Sequence, residues 1–424
     1  MRGTSVWQRV LGLVHTVIER VAFDEDADAV IVSVRPHKAR TRRCGRCGRH
    51  AGFYDRGEGR RRWRALDLGT VRVLLEADAP RVNCATHGPT VVAVPWARHG
   101  TGHTRAFDDT VAWLAVQCSK TAVTQLMRVA WRTVGSIITR VQHDIDASVD
   151  RLAGLRRIGI DEISYKRRYR YLTIVVDHDT GRLVWAAPGR DDRTLEQFFV
   201  ALGEARCGEL THVSADGAEW IARIVAKHSP QAVLCADAFH VVAWAGEALD
   251  IVRRQAWNDA RGGRQPVPGV DRRATRPRRA SDLKQARWAL WKNPENLSAR
   301  QHAQLAWIAK TDPRLYRAYM LKEGLRTVFA LKGQAGKDAL ERWISWARRC
   351  RIPAFVELQR KILKHRSAID AALEHNLSNA RIESTNTKIR LLTRIAFGFK
   401  SPDALIALAL LALGGYRPTL PGRA

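Results

Sequence analysis

The spacing of apolar positions divides the chain into stretches of different period. Over residues 104–148 the spacing is helical: Phe107, Val111, Leu114 and Ala115 first, then Val134, Ile137, Ile138, Val141 and Ile145 along one stripe. Ser119 ahead of "KTAVTQLMR" and Thr133 ahead of the last segment are the expected helix caps. From residue 158 the period shortens. Residues 158–163, 171–176 and 183–187 read as strands separated by "SYKRRYR" and "DHDTG". A helix with Leu195, Phe198, Phe199 and Leu202 on one face follows. Then come a fourth strand in "THVSADG", a helix beginning at Trp220, and a fifth strand in "AVLCADAFH". Residues 245–370 return to a helical pattern, broken by "ARGGRQPVPGVDRRATRPRRA" (260–280), whose Gly and Pro predict a loop. Trp288, Trp291, Trp307, Trp343 and Trp346 recur there, most of them expected in the core. The last apolar run, "ALIALALLALGG" (404–415), is too short to span a bilayer and predicts a buried helix stopped by Gly414 and Gly415.

Charge changes this picture. The 424 residues include 71 Lys and Arg against 42 Asp and Glu, a formal net charge of +29. A surplus of this size repels itself unless a polyanion neutralises it, so nucleic acid is the leading partner. The basic residues are spread along the chain and form no single amphipathic stripe, which argues against a membrane surface. The N-terminal stretch has no secretory cleavage pattern. The odd count of seven cysteines shows no pairing pattern, which points to a reducing, cytoplasmic and nucleoid-associated setting.

Cys44 and Cys47 form a C-x-x-C pair, and Cys84 and His87 a C-x-x-H pair. Each pair offers two ligands from one tight knuckle, a spacing that suits structural Zn2+; the plain alternative is two unrelated pairs of thiols. His37 and His50 are weaker substitute ligands. Apolar pieces at 63–68 and 71–75 predict a hairpin between the knuckles, in the manner of a zinc ribbon. Arg60, Arg61, Arg62 and Arg64 lie there with Trp63 and Tyr54, a mixture that suits phosphate contacts with aromatic support. The helices of 104–148, the last with Ser136, Thr139, Arg140 and His143 on its outer face, match a helix-turn-helix, and equally a plain connecting bundle.

Three carboxylates stand out. Asp161 lies in the first strand of the 158–240 region and Asp216 closes the fourth. Strand alternation points Asp161 and Glu162 to opposite faces, so one of them, Asp161, is expected to join Asp216. Far later, "LSNARIESTNTKIRLLTRIAFGFK" (377–400) places Asn379, Glu383, Asn386 and Arg390 on one helical face, with Ile382, Ile389 and Leu392 free to face a sheet. Three converging acids repel one another unless cations lie between them, and two Mg2+ or Mn2+ ions held this way clamp the oxygens of a phosphoryl transfer.

The order of three strands, helix, strand, helix, strand resembles a ribonuclease-H-like fold, an α/β core with a mixed sheet. Taken with "YDRGEGRRRWRALDLG", "RVNCATHGPTVVAVPWA", "IGIDEIS", "SADGAEW", "ADAFHVV", "LKQARWALWKNPENL" and "NARIESTNTKIRLLTRIAFGF", the chain resembles insertion-sequence transposases of the DDE type, in the family called ISL-three. The resemblance implies an N-terminal zinc-ribbon DNA-binding domain (1–98), a helix-turn-helix (99–153), a ribonuclease-H-like core (154–244 and 371–424) and a large helical insertion (245–370). It implies a triad of Asp161, Asp216 and Glu383 holding the catalytic metal. It also implies binding of terminal inverted repeats, strand cleavage and strand transfer, and a homodimer or higher oligomer on DNA. Arg60, Arg61, Arg62, Arg64, Arg140 and Arg390 are the expected DNA contacts. Asp237 and His240 resemble the C/D-x-x-H motif of Mutator-type transposases, so Asp237 is an alternative second metal ligand and His240 a candidate for orienting a ligand or phosphate. The competing reading is a non-catalytic zinc and helix-turn-helix regulator.

Overall fold

A computed structural model describes residues 3–166, 170–262, 275–377, 379–399 and 401–422. The chain forms two compact units: residues 1–151 with 388–424, and residues 152–387.

The first unit opens with α1 (Gly3–Val10), β1 (Thr16–Asp24) and β2 (Ala29–Pro36). β3 (Gly52–Asp55), β4 (Arg60–Arg64), β5 (Arg72–Asp78), β6 (Arg81–Cys84) and β7 (Gly88–Val91) follow. They make a four-stranded sheet, β1-β2-β5-β4, and a three-stranded sheet, β3-β6-β7. The expected pairing of the pieces between the knuckles occurs, since β4 and β5 run antiparallel with Trp63 opposite Leu75. The pair does not belong to the knuckle sheet, however. β5 lies parallel to β2, whose β-branched run "AVIVSVRP" supplies the missing apolar partner. Trp63 is correspondingly a core residue. It is buried with Ile18, Val32, Val34 and Leu75, and packs edge-on against Trp96 at 5.5 Å, so it gives no support to a phosphate.

Then come α2 (Arg105–Gln117), α3 (Lys120–Met127) and α4 (Trp131–Asp146). Thr104 and Ser119 cap the first two through their hydroxyls, which accept from Phe107 N and Ala122 N at 3.2 Å each. Thr133 is not a cap, because α4 begins two residues earlier, after Ala130. Phe107, Val111, Val123, Val134, Ile137, Ile138 and Val141 form the shared core.

The second unit is built on β8 (Arg157–Lys166), β9 (Arg170–Asp177), β10 (Leu183–Pro188), β11 (His212–Ala215) and β12 (Val233–Ala236). The strand order is β10-β9-β8-β11-β12. The first three form an antiparallel meander, whereas β11 lies parallel to both β8 and β12. The first and fourth strands of this sheet are therefore neighbours, as expected. Between strands run α5 (Asp192–Leu202), α6 (Glu204–Cys207) and α7 (Glu219–His228), whose Leu195, Phe198, Phe199, Ile221 and Val225 bury Ile158, Ile160 and Val213.

"AFH" belongs to a helix rather than to the fifth strand: α8 (Ala238–Gly262) starts directly after Asp237. With α9 (Thr275–Gln285), α10 (Arg287–Trp291), α11 (Ala299–Thr311), α12 (Pro313–Ala330), α13 (Gly333–Arg349), α14 (Pro353–Lys364) and α15 (Arg366–His375) it makes a helical domain with its own core. Helix takes the place of the expected loop at both ends of 260–280. α8 runs to Gly262 and α9 starts at Thr275, while residues 263–274 lie outside the described residues. The tryptophans also depart from expectation. Trp343 is buried and donates to Leu321 O at 2.7 Å, but Trp288, Trp291 and Trp346 are exposed.

α16 (Ala380–Ile395) and α17 (Pro402–Leu413) complete the chain. Ile382 packs onto the sheet at Gly159, as expected for that face. Leu392 does not face this sheet. It belongs to the first unit and packs against the core of α2, α3 and α4, as do Ala407, Leu408 and Leu411 of α17. Gly414 ends α17 as predicted. No described helix is long and apolar enough to cross a membrane.

Candidate functional site

The three-stranded sheet carries one candidate centre. β6 ends on Cys84, His87 follows in the turn to β7, and Cys44 and Cys47 lie in the turn ahead of β3. Cys44 Sγ and Cys84 Sγ are each 3.6 Å from His87 Nδ1, and Cys47 Sγ is 3.7 Å from Cys84 Sγ. A tetrahedral zinc ion with sulfur at about 2.3 Å and nitrogen at about 2.0 Å separates its ligands by roughly 3.5–3.8 Å, so the four side chains fit that ion. The His87 imidazole beside it draws the Cys84 thiol down to about 6. Among the described residues this is the one group of three or more such ligands gathered within 4.8 Å. His37 and His50 stand outside it.

The second candidate lies at one end of the five-stranded sheet. Asp161, on β8, accepts from the Glu162 backbone N–H and from Asn386 Nδ2, both at 2.7 Å. Asp216 follows β11 and accepts from Ala218 N at 3.1 Å. Asp237 follows β12. It is buried, and its Oδ2 lies 2.6 Å from His240 Nδ1. Glu383 is half-buried in the first turn of α16.

The electrostatics show that these groups share one field. Burial raises the Asp161 carboxyl, and Asp216 adds to the rise. Burial also raises Glu383, with Asp237 and Asp161 adding. The hydrogen bond that His240 Nδ1–H donates to Asp237 lifts His240 to about 8, and the charges of Asp161 and Asp216 contribute to the same shift. Asp161 thus feels Asp216, and Glu383 feels Asp237 and Asp161, but these acids are not gathered as closely as the cysteines and His87.

Glu162 departs from expectation. Burial, followed by the charge of Asp216, pushes it up to about 7, so Asp216 is felt by Glu162 as well as by Asp161. The reason is that β11 pairs with β8 only as far as Ser214 opposite Gly159. Beyond the last pair, Asp216 is not confined to one face of the sheet. Glu162 Oε2 lies 3.4 Å from Arg190 Nε, while its Oε1 is buried without a hydrogen-bond partner, as is Asn386 Oδ1. Orphaned carboxylate and amide oxygens beside clustered acids make a hard-oxygen donor set, which suits Mg2+ or Mn2+.

A buried network that the sequence did not reveal seats the helix carrying Glu383. His178 Nε2 and Ser214 Oγ are 2.6 Å apart, and Ser214 Oγ donates to Asn379 Oδ1 at 2.6 Å. All three residues are buried. Asn379 O in turn accepts from Glu383 N at 2.8 Å, and the Arg381 guanidinium donates to His178 O. The one available signal was Gly159, since a glycine inside a strand marks close approach. A Cβ there would stand 2.0 Å from Ile382 Cδ1.

The expected DNA-contacting arginines differ in their freedom. Arg60 and Arg62 remain half-exposed but pair with Glu76 at 3.2 and 3.0 Å. Arg61 lies over the Trp63 ring at 5.6 Å. Arg64 pairs with Asp67, and Arg140 with Asp108 at 3.0 Å, so internal carboxylates already hold both. Arg390 is exposed.

Comparison with known proteins bears on the whole chain. Residues 40–87 match the zinc-finger of the transposases of IS204, IS1001, IS1096 and IS1165, and residues 92–142 match the helix-turn-helix domain of transposase family ISL3. Residues 158–409 match the DDE transposase domain of the same family. The chain belongs to the ISL3 family of transposases. It is 66% identical over 437 aligned residues to the transposase for insertion sequence element IS1557 of Mycobacterium tuberculosis, in strains CDC 1551 / Oshkosh and ATCC 25618 / H37Rv, covering 100% of this chain and 98% of each relative. It is 25% identical over 389 residues to the transposase for insertion sequence element IS1001 of Bordetella parapertussis, covering 91% of this chain and 92% of that protein. For an ISL3 transposase, the zinc knuckle and α2–α4 fall in the DNA-binding regions, and the acid cluster falls in the DDE domain.

Proposed function

We propose that this ISL3 transposase cleaves the ends of its insertion sequence and joins them to target DNA, with Asp161, Asp216 and Glu383 as the metal-holding triad. The observation that carries this reading is the shared field of these acids on a sheet of order β10-β9-β8-β11-β12, with Glu383 brought in by α16 from more than 200 residues away. That strand order, a meander followed by two parallel strands, supports a ribonuclease-H-like core interrupted by the α8–α15 insertion, with the domain bounds given by the family resemblance. Mg2+ or Mn2+ held there would polarise the phosphodiester and supply a bound water at neutral pH. Asn386 and the Glu162 N–H fix the orientation of the Asp161 carboxylate. His240, charged by its bond to Asp237, balances the acids and is positioned to steady a phosphate oxygen. The first unit binds the terminal inverted repeats as double-stranded DNA, with its zinc knuckle as a structural brace, and active assemblies contain two or more copies.

A second assignment has support of its own. Asp237 is buried and is the foremost charged influence on Glu383, which favours it as the second metal ligand in place of Asp216. The test is cleavage of labelled DNA flanking the gene, with Mg2+, by the wild type and by Asp161→Ala, Asp216→Asn, Asp237→Asn and Glu383→Gln. We expect cleavage lost at least 1,000-fold in Asp161→Ala, Asp216→Asn and Glu383→Gln with duplex binding retained. Loss in Asp237→Asn but not in Asp216→Asn would transfer the role. Binding without cleavage under every metal would make the chain a regulator.

A further inference from the structure

Among the described residues of the first unit, buried cations are matched by carboxylates, with Lys120 the exception. Arg98 meets Asp109 at 2.7 Å and Asp144 at 3.0 Å, and Arg151 meets Asp146 at 2.7 Å. Lys120, the first residue of α3, is only 8% exposed, yet no carboxylate reaches it among the described residues. Its ammonium lies 5.0 Å from the centre of the Trp131 ring and 5.6 Å from that of Phe399. It lies beside α4, at a point where α17 also comes close. A Cβ on Gly135 of α4 would stand 3.3 Å from Lys120 Nζ and 3.9 Å from Ala404 Cβ, and Ala404 lies in the first turn of α17, just after its Ser401 cap.

Lys120 itself opens α3, and a helix N-terminus carries partial positive charge, so this turn adds to the lysine's charge rather than offsets it. The two rings return about 0.5–2 kcal/mol, less than the cost of burying an unpaired cation. Burial accordingly pulls the Lys120 ammonium below its ordinary range. An anion is what this arrangement lacks. At the same end of α4, Trp131 and Arg132 are exposed, and Arg132 pairs with no carboxylate among the described residues.

We infer that Lys120, with Trp131, Arg132 and the first turn of α17, forms a subsite for a phosphate of the DNA backbone. The inference rests on the DNA-binding reading above. A diester phosphate brings one negative charge and acceptor oxygens. With little solvent around it, the ammonium would bond such a phosphate more strongly than a fully exposed lysine does. A Cβ at Gly135 would press on the ammonium by a few tenths of an ångström, which the lysine could relieve by a small shift.

The experiment is the salt dependence of binding of a short labelled DNA duplex to the full-length chain, compared with Lys120→Met and Lys120→Arg. Removal of one phosphate contact lowers the slope of log K against log salt by about 0.9. We expect that drop and a roughly tenfold weaker affinity for Lys120→Met, with the slope retained in Lys120→Arg. A folded Lys120→Met with the wild-type slope would overturn the inference, and more so if its melting temperature rose, since Lys120 would then be a frustrated core lysine only. Should Lys120→Met fail to fold, amine labelling of the wild type decides: the duplex must slow modification of Lys120, and equal labelling with and without DNA would overturn the assignment. Failure of the wild type to bind any duplex is the separate failure of the DNA-binding reading.

Discussion

In the Cys/His knuckle, four ligand atoms from residues 44 to 87 already lie within 4.8 Å of one another; around Asp161, the acids come from residues 161 to 383 and stand further apart. The first set closes on a single ion and leaves it no open position, which is how a metal braces a small sheet. The second set is a looser ring of oxygens, some without partners, able to admit ions together with a phosphate. On the proposed function, compactness of the ligand set would separate a structural metal from a catalytic one within the same chain.

The largest expected effect concerns the closed centre. Structural zinc contributes on the order of 10 kcal/mol to small domains. Chelation at neutral pH, or Cys84→Ser, is therefore expected to unfold the β3-β6-β7 sheet and to abolish DNA binding. Limited proteolysis checks this: cleavage must appear between residues 40 and 92 while the five-stranded sheet stays protected. A knuckle that survives metal removal would break the distinction.

A smaller effect tests the open centre through its scaffold. Gly159→Ala places a methyl group against Ile382, at a cost of about 1–3 kcal/mol, and pushes on the helix that carries Glu383. DNA cleavage is expected to fall more than tenfold, and Ile382→Val in the same chain to restore it only in part, because Ile382 Cγ1 and His178 Nε2 would each still stand 2.9 Å from the new methyl group. Equal activity in Gly159→Ala would show that α16 is seated by something else.

The smallest effect is a pH dependence. Burial first, then Arg157 and Arg381, hold His178 below its ordinary range, so the unfolded chain takes up the proton more readily. Stability of the second unit is expected to be complete above about pH 6.5 and to decline as pH falls through the lowered value. Thermal melts should show this decline in the wild type, reduced in His178→Gln.

The two centres also differ in how far the sequence announced them. The knuckle was legible because its ligands come in two close pairs, and neither pair needs the fold to identify it. The carboxylates were legible only through strand order and the resemblance to a family. The influence of Asp216 on Glu162 was not legible, because Asp216 lies beyond the end of β11, where the register with β8 no longer gives its position. The His178–Ser214–Asn379 network was invisible, since its members lie 36 and 165 residues apart and share no period. Trp63 was misread because its neighbouring arginines suggested a surface, whereas strand alternation turns it inward toward Trp96.

The central claim is that Asp161, Asp216 and Glu383 hold a common pair of divalent ions. Titration of the zinc-loaded chain with Mn2+, followed by electron paramagnetic resonance, tests it without reference to activity. The account predicts two ions bound per chain, with at least tenfold weaker binding in each of Asp161→Ala, Asp216→Ala and Glu383→Ala. Wild-type Mn2+ binding in all three variants would contradict it.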